Sequence, residues 1–231
     1  MRNLEGRINQ LAQWMFEAKY LVVFTGAGIS TESGLPDFRG PDGIWTRQAK
    51  GLPAKVRPFS SVEPNAGHRA IVELQNLGKL RFISQNVDNL HLRSGIRPEI
   101  LAELHGNVTK LRCRKCRTQV DQSLGLEICP CGGRLVSSVV NFGDPLPKKE
   151  LDDSFFHSAH SDLFIVVGSS LVVSPANEMP RIAVQSGARL VIINQGETPL
   201  DEECDSRFEE RIGEVLPPAV ERLKELIKER S

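Results

Sequence analysis

Apolar residues recur along this chain in two rhythms. Ile8, Leu11, Ala12, Met15 and Phe16 fall at helical spacing, and so predict an amphipathic opening helix. Leu21-Val22-Val23-Phe24 is a continuous apolar run, too short for a helix and β-branched at its centre, which predicts a buried strand of a parallel sheet. The two rhythms then alternate. A helical pattern through Ala70, Ile71, Leu74 and Leu77 stops at Gly78, and strand-like runs come next at 80–84, 100–104, 137–142, 163–167 and 190–193. A helix is predicted over 176–186, long enough for a βαβ crossover, and a charged amphipathic helix through Val220, Leu223 and Ile227 closes the chain over 217–231. Between Thr46 and Asn65 the prolines 53, 58 and 64 interrupt any period, which predicts short helical turns and loop. Strand, polar turn and helix in repetition predict an α/β fold with a doubly wound, parallel, Rossmann-like sheet.

The predicted strands run into polar or glycine-rich turns. After the first comes Thr25-Gly26-Ala27-Gly28, where two glycines one residue apart allow a sharp turn and a close backbone approach to a ligand. Ile29-Ser30-Thr31 is then expected to open a helix whose free N–H groups suit a pyrophosphate. A full dinucleotide fingerprint has a third glycine where Thr31 stands, so spacing alone leaves open a dinucleotide site and a plain tight turn. Residues 34–43, GLPDFRGPDG, carry too many breakers for a helix and too many large side chains for a linker, and read as a ligand-covering loop. Gln85-Asn86-Val87-Asp88 comes after the second strand, at the end where open parallel sheets bind ligands; an Asx-rich turn is the alternative. His105-Gly106-Asn107, Gly168-Ser169-Ser170-Leu171 and Asn194-Gln195-Gly196 occupy equivalent places. Taken alone, His105 is more often a structural or surface histidine than a base.

Charge adds little, since Lys plus Arg and Asp plus Glu number 29 each, and no global field argues for nucleic acid or membrane. Residues 1–6 lack the apolar stretch of a leader, and no window approaches the ~18 apolar residues of a membrane span. The expectation is a cytoplasmic monomer with no membrane partner. Cysteine changes the picture more. Four of the five crowd into 113–131 as Cys113-Arg114-Lys115-Cys116 and, twelve residues on, Cys129-Pro130-Cys131 with two glycines behind. Paired cysteines on tight turns supply four thiolates to a structural zinc, and in a reducing compartment they favour metal over disulfides; Cys204 is left over. The second pair has one intervening residue where two are usual. An inserted zinc ribbon at 108–137 therefore divides a main domain of 1–107 and 138–231, in which 34–65 forms the loop and short helical insert.

Four motifs in order, Gly26-Ala27-Gly28-Ile29-Ser30, Gly34-Leu35-Pro36-Asp37-Phe38-Arg39, Gln85-Asn86-Val87-Asp88 and His105-Gly106-Asn107, together resemble the signature of the sirtuins, the NAD-dependent protein-lysine deacylases. The resemblance runs over about residues 21–216 and implies NAD as co-substrate and one structural zinc on Cys113, Cys116, Cys129 and Cys131. It places Gly26, Ala27, Gly28 and Ser30 at the phosphates, Gly168, Ser169 and Ser170 on the adenosine side, Asn194, Gln195 and Gly196 at its ribose, and the backbone near Ile212 at adenine. Asp37, Phe38, Arg39 and Trp45 belong to the covering loop, with Phe38 shielding the anomeric carbon. Gln85, Asn86 and Asp88 meet the nicotinamide half. His105 is the general base, with Asn86 and Asp88 as its catalytic companions: the acyl oxygen of a modified lysine displaces nicotinamide, and His105 acts on the ribose hydroxyls. The acylated protein lysine enters in an extended peptide against Val139, Val140, Phe142 and the backbone at Leu171-Val172-Val173.

Within that family Gly40-Pro41-Asp42-Gly43-Ile44-Trp45 and Leu101-Ala102-Glu103-Leu104 look most like the class that contains the nuclear chromatin sirtuins, although the zinc segment is shorter. Thr46 and Arg47 stand where desuccinylating members carry Tyr and Arg, so a dicarboxylic acyl group is not favoured. Two other functions fit parts of the sequence. A protein mono-ADP-ribosyltransferase shares the loss of nicotinamide. A non-catalytic zinc module binding nucleic acid is suggested by Lys110, Arg112, Arg114, Lys115 and Arg117, but a solvated knuckle face accounts for these in a neutral chain, and nucleic acid is not favoured as a partner.

Overall fold

The computed structural model describes residues 3–78 and 80–230; residues 1 and 2 of the opening segment and Ser231 of the expected closing helix lie outside them. Helix α1, Leu4–Glu17, starts where the Asn3 side chain accepts from the Gly6 amide at 2.8 Å, and it buries Ile8, Leu11, Ala12 and Met15. Strand β1, Leu21–Thr25, is buried at every residue. A short helix α2, Ile44–Ala49, interrupts the covering loop. Helix α3, Ala66–Asn76, opens on a reciprocal cap in which Asn65 accepts from the His68 amide and the His68 ring accepts from the Asn65 amide. Next come β2, Leu80–Ser84, the one-turn helix α4, Leu90–Ser94, and β3, Leu101–Glu103.

Three short strands, β4 (Lys110–Cys113), β5 (Gln119–Asp121) and β6 (Leu135–Ser137), then form a separate antiparallel sheet in the order β5-β4-β6. The chain returns through helix α5 (Lys148–His160), β7 (Leu163–Val167), α6 (Glu178–Gln185), β8 (Arg189–Ile193), β9 (Ser206–Phe208) and α7 (Ile212–Glu229). The main sheet has the order β3-β2-β1-β7-β8-β9 with every pair parallel. The chain winds outward from β1 in one direction and from β7 in the other, so the switch point lies between β1 and β7.

Alternation within the strands divides the core. Leu21, Val23, Phe82, Ile165, Val191 and Phe208 face α1, α3 and α7, while Val22, Phe24, Ile83, Phe164, Val166 and Ile192 face the layer of α6 and part of α5. Both faces being covered, the central strands β1 and β7 read as near-continuous apolar runs.

Several boundaries differ from the sequence reading. The helix expected to open at Ile29 is a 3-10 helix, Ala27–Ser33, ended by Gly34 at φ +92°. The run at 137–142 is strand only to Ser137. Beyond it the chain leaves the small sheet, Val140 donates to the His105 carbonyl at 2.9 Å, and Asn141 turns with Asp144. Helix α7 starts at Ile212 rather than at 217. Its Pro217 and Pro218 forgo two backbone donors, and burial of Val215, Leu216, Ala219 and Val220 on one side holds the helix across them. Helix α5 has no counterpart in the hydrophobic pattern of the sequence.

Candidate active site

Five loops leave the carboxyl ends of β1, β2, β3, β7 and β8 and meet outside the switch point. Glycine makes the tightest of these meetings. The Gly28 amide donates to the Gly168 carbonyl at 2.8 Å, and a Cβ on Gly26 would stand 2.7 Å from that same oxygen. Gly168 itself has φ +66°, and a Cβ there would lie 2.3 Å from the Ile29 nitrogen. These glycines let the turns after β1 and β7 pack against each other, which is a narrower reason for them than clearance for a ligand.

On the β2 side a polar cluster is buried. Ser30 Oγ donates to Asp88 Oδ2 at 2.6 Å, and Asn86 Nδ2 donates to Ser30 Oγ at 3.2 Å and to Asp88 Oδ2 at 3.3 Å. Asp88 Oδ1 accepts the Leu90 amide at 2.9 Å. Asn86 Oδ1 is buried with no partner. An orphaned buried acceptor costs about 1–3 kcal/mol, so a donor from a bound molecule is the economical way to satisfy it. Hydroxyl groups of a ribose fit that need, and the residues present therefore suit a nucleotide.

Behind this cluster lies a second one that sequence reasoning missed. Thr25 and Ser84 are register partners on β1 and β2, and Thr25 Oγ1 donates to Ser84 Oγ at 2.9 Å. Thr25 therefore accepts from His91 Nε2, 3.0 Å away, leaving His91 Nδ1 a bare buried acceptor beside His68, whose ring centroid is 4.9 Å away. Polar residues closing two largely apolar strands were the available signal.

His105 sits just past β3, half-buried. Its Nδ1 lies 3.0 Å from the Gln85 carbonyl, which can only accept, so the proton is on Nδ1 and Nε2 carries the lone pair. Burial pushes the His105 pKa below its ordinary 6.5, with the Gln85 bond opposing more weakly. Ser169 Oγ donates to the Gln85 side chain at 2.8 Å and accepts the Leu171 amide at 3.3 Å, so the turns after β2, β3 and β7 are linked. The Leu171 side chain is buried in the core and its backbone is left-handed at φ +54°, while the Val172 side chain is exposed. Val139 and Val140 are half-buried, with the Val140 amide on the His105 carbonyl.

The covering loop and the start of α2 carry an aromatic cluster at the surface, joined by Phe142. Phe38 and Trp45 have centroids 5.2 Å apart, Trp45 and Phe142 5.4 Å, and the Arg39 guanidinium lies 4.3 Å from the Trp45 ring. Asp37 accepts the Gly40 amide at 2.9 Å, and burial raises its pKa. Farther along the sheet, Asn194 Nδ2 caps the Gln195 and Gly196 carbonyls, and Arg207 holds the Asn194 carbonyl at 2.6 Å. Ile212 packs over Gly67, and the Gly213 amide donates to Glu32 at 3.0 Å, which ties the start of α7 to the 3-10 helix.

In the small sheet, Cys113, Cys116, Cys129 and Cys131 bring their sulfurs within 4.8 Å of one another. Tetrahedral Zn–S bonds of about 2.3 Å place sulfurs about 3.8 Å apart; the Cys113–Cys131 and Cys116–Cys129 pairs lie at 3.5 and 3.6 Å. The one-residue spacer at Pro130 therefore does not spoil the set, and the four cysteines are positioned to bind one zinc ion.

The Sir2 family model matches residues 26–56 and 52–175, which takes in the covering loop, the polar cluster, His105 and all four cysteines. The chain belongs to the Sir2 family. Among Sir2 relatives, the NAD-dependent protein deacetylase SRT1 of Oryza sativa subsp. indica is 44% identical over 87% of this chain and 45% of its own length. The NAD-dependent protein deacylase 2 of Archaeoglobus fulgidus is 39% identical over 98% of this chain and 100% of its own length. The chain thus spans about half the length of the plant relatives and the full length of the archaeal one. The structure of Sir2Af2 bound to a myristoylated histone peptide matches with 38% identity and a TM-score of 0.73, covering 97% of this chain and 99% of that one. No helix of the described residues is long and apolar enough to cross a membrane.

Proposed function

We propose that the protein is an NAD-dependent protein-lysine deacylase, acting on acetyl and longer apolar acyl groups and releasing nicotinamide and an O-acyl-ADP-ribose. The observation that carries this reading is His105 with its Nδ1–H fixed on the Gln85 carbonyl, beside the buried Ser30–Asn86–Asp88 cluster with its unpartnered Asn86 oxygen. Gly26, Ala27, Gly28 and Ser30 serve the phosphates of NAD, Gly168, Ser169 and Ser170 the adenosine half, Asn194, Gln195 and Gly196 its ribose, and Ile212 the adenine. Gln85, Asn86 and Asp88 receive the nicotinamide half, and Asp37, Phe38, Arg39 and Trp45 keep water from it. His105 Nε2 takes a proton from a ribose hydroxyl as the acyl oxygen of lysine replaces nicotinamide at the anomeric carbon. The extended peptide runs between Val139-Val140 and the 171–173 backbone, with Phe142 at the mouth, so specificity for sequence is low. Residues 1–107 and 138–231 act as the cofactor domain and 108–137 as the zinc-bearing module.

Incubation with NAD and acetylated or myristoylated lysine peptides tests the proposal. Nicotinamide release that depends on the acyl peptide is expected. Absence of release with every acyl chain, from protein carrying zinc, rejects it.

A further inference from the structure

The main chain crosses between the two sheets twice, outward through 107–110 and back through 137–140. The crossings are tied to each other. The Ser138 amide donates to the Lys110 carbonyl at 3.0 Å, Ser138 Oγ donates to the Asn107 carbonyl at 2.8 Å and accepts the Asn107 amide at 3.0 Å, and Val140 bonds the His105 carbonyl. Gly106, at φ +76°, permits this, because a Cβ there would stand 2.1 Å from the Ser138 oxygen. Those bonds hold the crossings together, and the Val108 amide donates to the Val87 carbonyl at 2.9 Å in the loop after β2, but none of them anchors the crossings to a strand of the main sheet.

Glu103, the last residue of β3, does so. Its side chain is 9% exposed; Oε1 accepts Asn107 Nδ2 at 2.6 Å and Oε2 pairs with Lys110 Nζ at 2.6 Å. Among the described residues this is the one ion pair between the main sheet and residues 108–137. Asn107 has no spare capacity to compensate. Its other amide proton goes to Asn89 Oδ1 at 2.9 Å, and its oxygen accepts both the amide and the hydroxyl of Thr109. A carboxylate so little exposed, holding one neutral donor and one cation, fixes geometry that neither partner can restore without it.

We infer that Glu103 is a positioning residue. Through Asn107 and Lys110 it holds the 138–140 segment against the His105 loop, so that the edge receiving the acyl-lysine peptide and the base keep one register. The peptide part of this inference rests on the function proposed above; the mechanical part does not.

The test is amide hydrogen exchange on the zinc-loaded protein and its Glu103→Gln variant, with binding of an acetyl-lysine peptide and of NAD measured separately. Gln keeps the acceptor for Asn107 and removes the charge facing Lys110. Exchange at the Ser138 and Val140 amides is expected to rise about tenfold or more while β1 and β7 stay protected. Peptide binding is expected to weaken about tenfold and NAD binding to stay within about twofold. Lys110→Met is expected to give the same pattern, and the double variant to be no worse than Glu103→Gln alone, as for two ends of one contact. Unchanged protection at 138 and 140 overturns the inference. So does an equal loss of peptide and NAD binding, which makes Glu103 a general stability residue. If Glu103→Gln does not fold, Lys110→Met decides by the same readouts. Wild-type protein that releases no nicotinamide with any peptide rejects the deacylase reading alone, since the exchange measurement still decides the mechanical role.

Discussion

The two sheets of this protein are ordered by different forces. The main sheet buries Phe24, Phe82, Phe164 and Phe208 completely between helical layers, an interior that holds together by removing apolar surface from water. The buried core of the small sheet consists of Cys113, Cys129 and Leu135, with Leu111 and Val120 half-covered beside them. Leu124, Leu126 and Ile128, the remaining leucine and isoleucine side chains of that region, are exposed. So little hydrocarbon cannot order strands of three and four residues, and two of its three core members are among the cysteines positioned to bind zinc. We read one region as a hydrophobic fold and the other as a metal fold, with the His105 loop at their seam.

Removing the metal should break this comparison most visibly. Structural zinc supplies an apparent binding free energy of about 10–16 kcal/mol in small zinc peptides, far more than the core here could. Chelation, or Cys116→Ser, should therefore unfold 108–137 while the main sheet keeps its hydrogen-exchange protection. Deacylation should fall with it, because the 138–140 segment is anchored to that module. A module that stays protected after verified zinc loss rules out the metal-fold reading.

His105→Ala should strike the seam without disturbing either region. A general base contributes about 10²–10⁴-fold, so turnover should fall by about three orders of magnitude with the fold, zinc content and NAD binding retained. The lowered pKa of His105 fixes the sign of the pH dependence: the base is neutral above its folded pKa, so wild-type activity should persist to lower pH than for an unperturbed imidazole and then decline on acidification. Near-normal turnover in the variant makes another group the base.

Phe164→Ala attacks the other side of the comparison. The ring is fully buried with Phe24 6.1 Å away, and such truncations cost about 3–5 kcal/mol. Denaturant unfolding should show that loss while zinc content stays at one per chain. Loss of zinc in step with the cavity would mean that the two regions fold as one unit.

What could be read from the sequence obeyed the same division. Strands β1, β7 and β8 announce themselves as apolar runs because both faces are covered, and the zinc site announces itself through four clustered cysteines. Helix α5 does not, because its buried positions include Ser154 and Ser158, small polar residues that give no apolar period. Strand β9 is three residues long and sits at the sheet edge, too short for any pattern. In the site, residues close in sequence such as Asn86 and Asp88 were legible as a motif. The Thr25–Ser84–His91 cluster was not, since it exists only through the register of β1 on β2. Glu103 read as part of a family motif, but its partner Lys110 lies across the seam.

The smallest expected effect concerns acid, and it should separate the regions because residues 108–137 contain no histidine. His68 and His91 are buried together, facing Asp88, Arg69, Thr25 and Phe82. Burial lowers the His68 pKa to about 4 against the raising influence of Asp88, and burial followed by the His68 charge lowers that of His91 well below 6.5. The unfolded chain therefore takes up protons first as pH falls below about 6.5, so the stability these neutral rings confer is present above that pH and is lost on acidification towards the folded values. Between about pH 7.5 and 5.5 the loss from His68 should be on the order of 1 kcal/mol, read as a lower denaturation midpoint for the main sheet. Over the same range the zinc content should not change. His68→Gln should flatten the slope, and a wild-type midpoint independent of pH across that window would show that the buried pair carries its protons into the folded state.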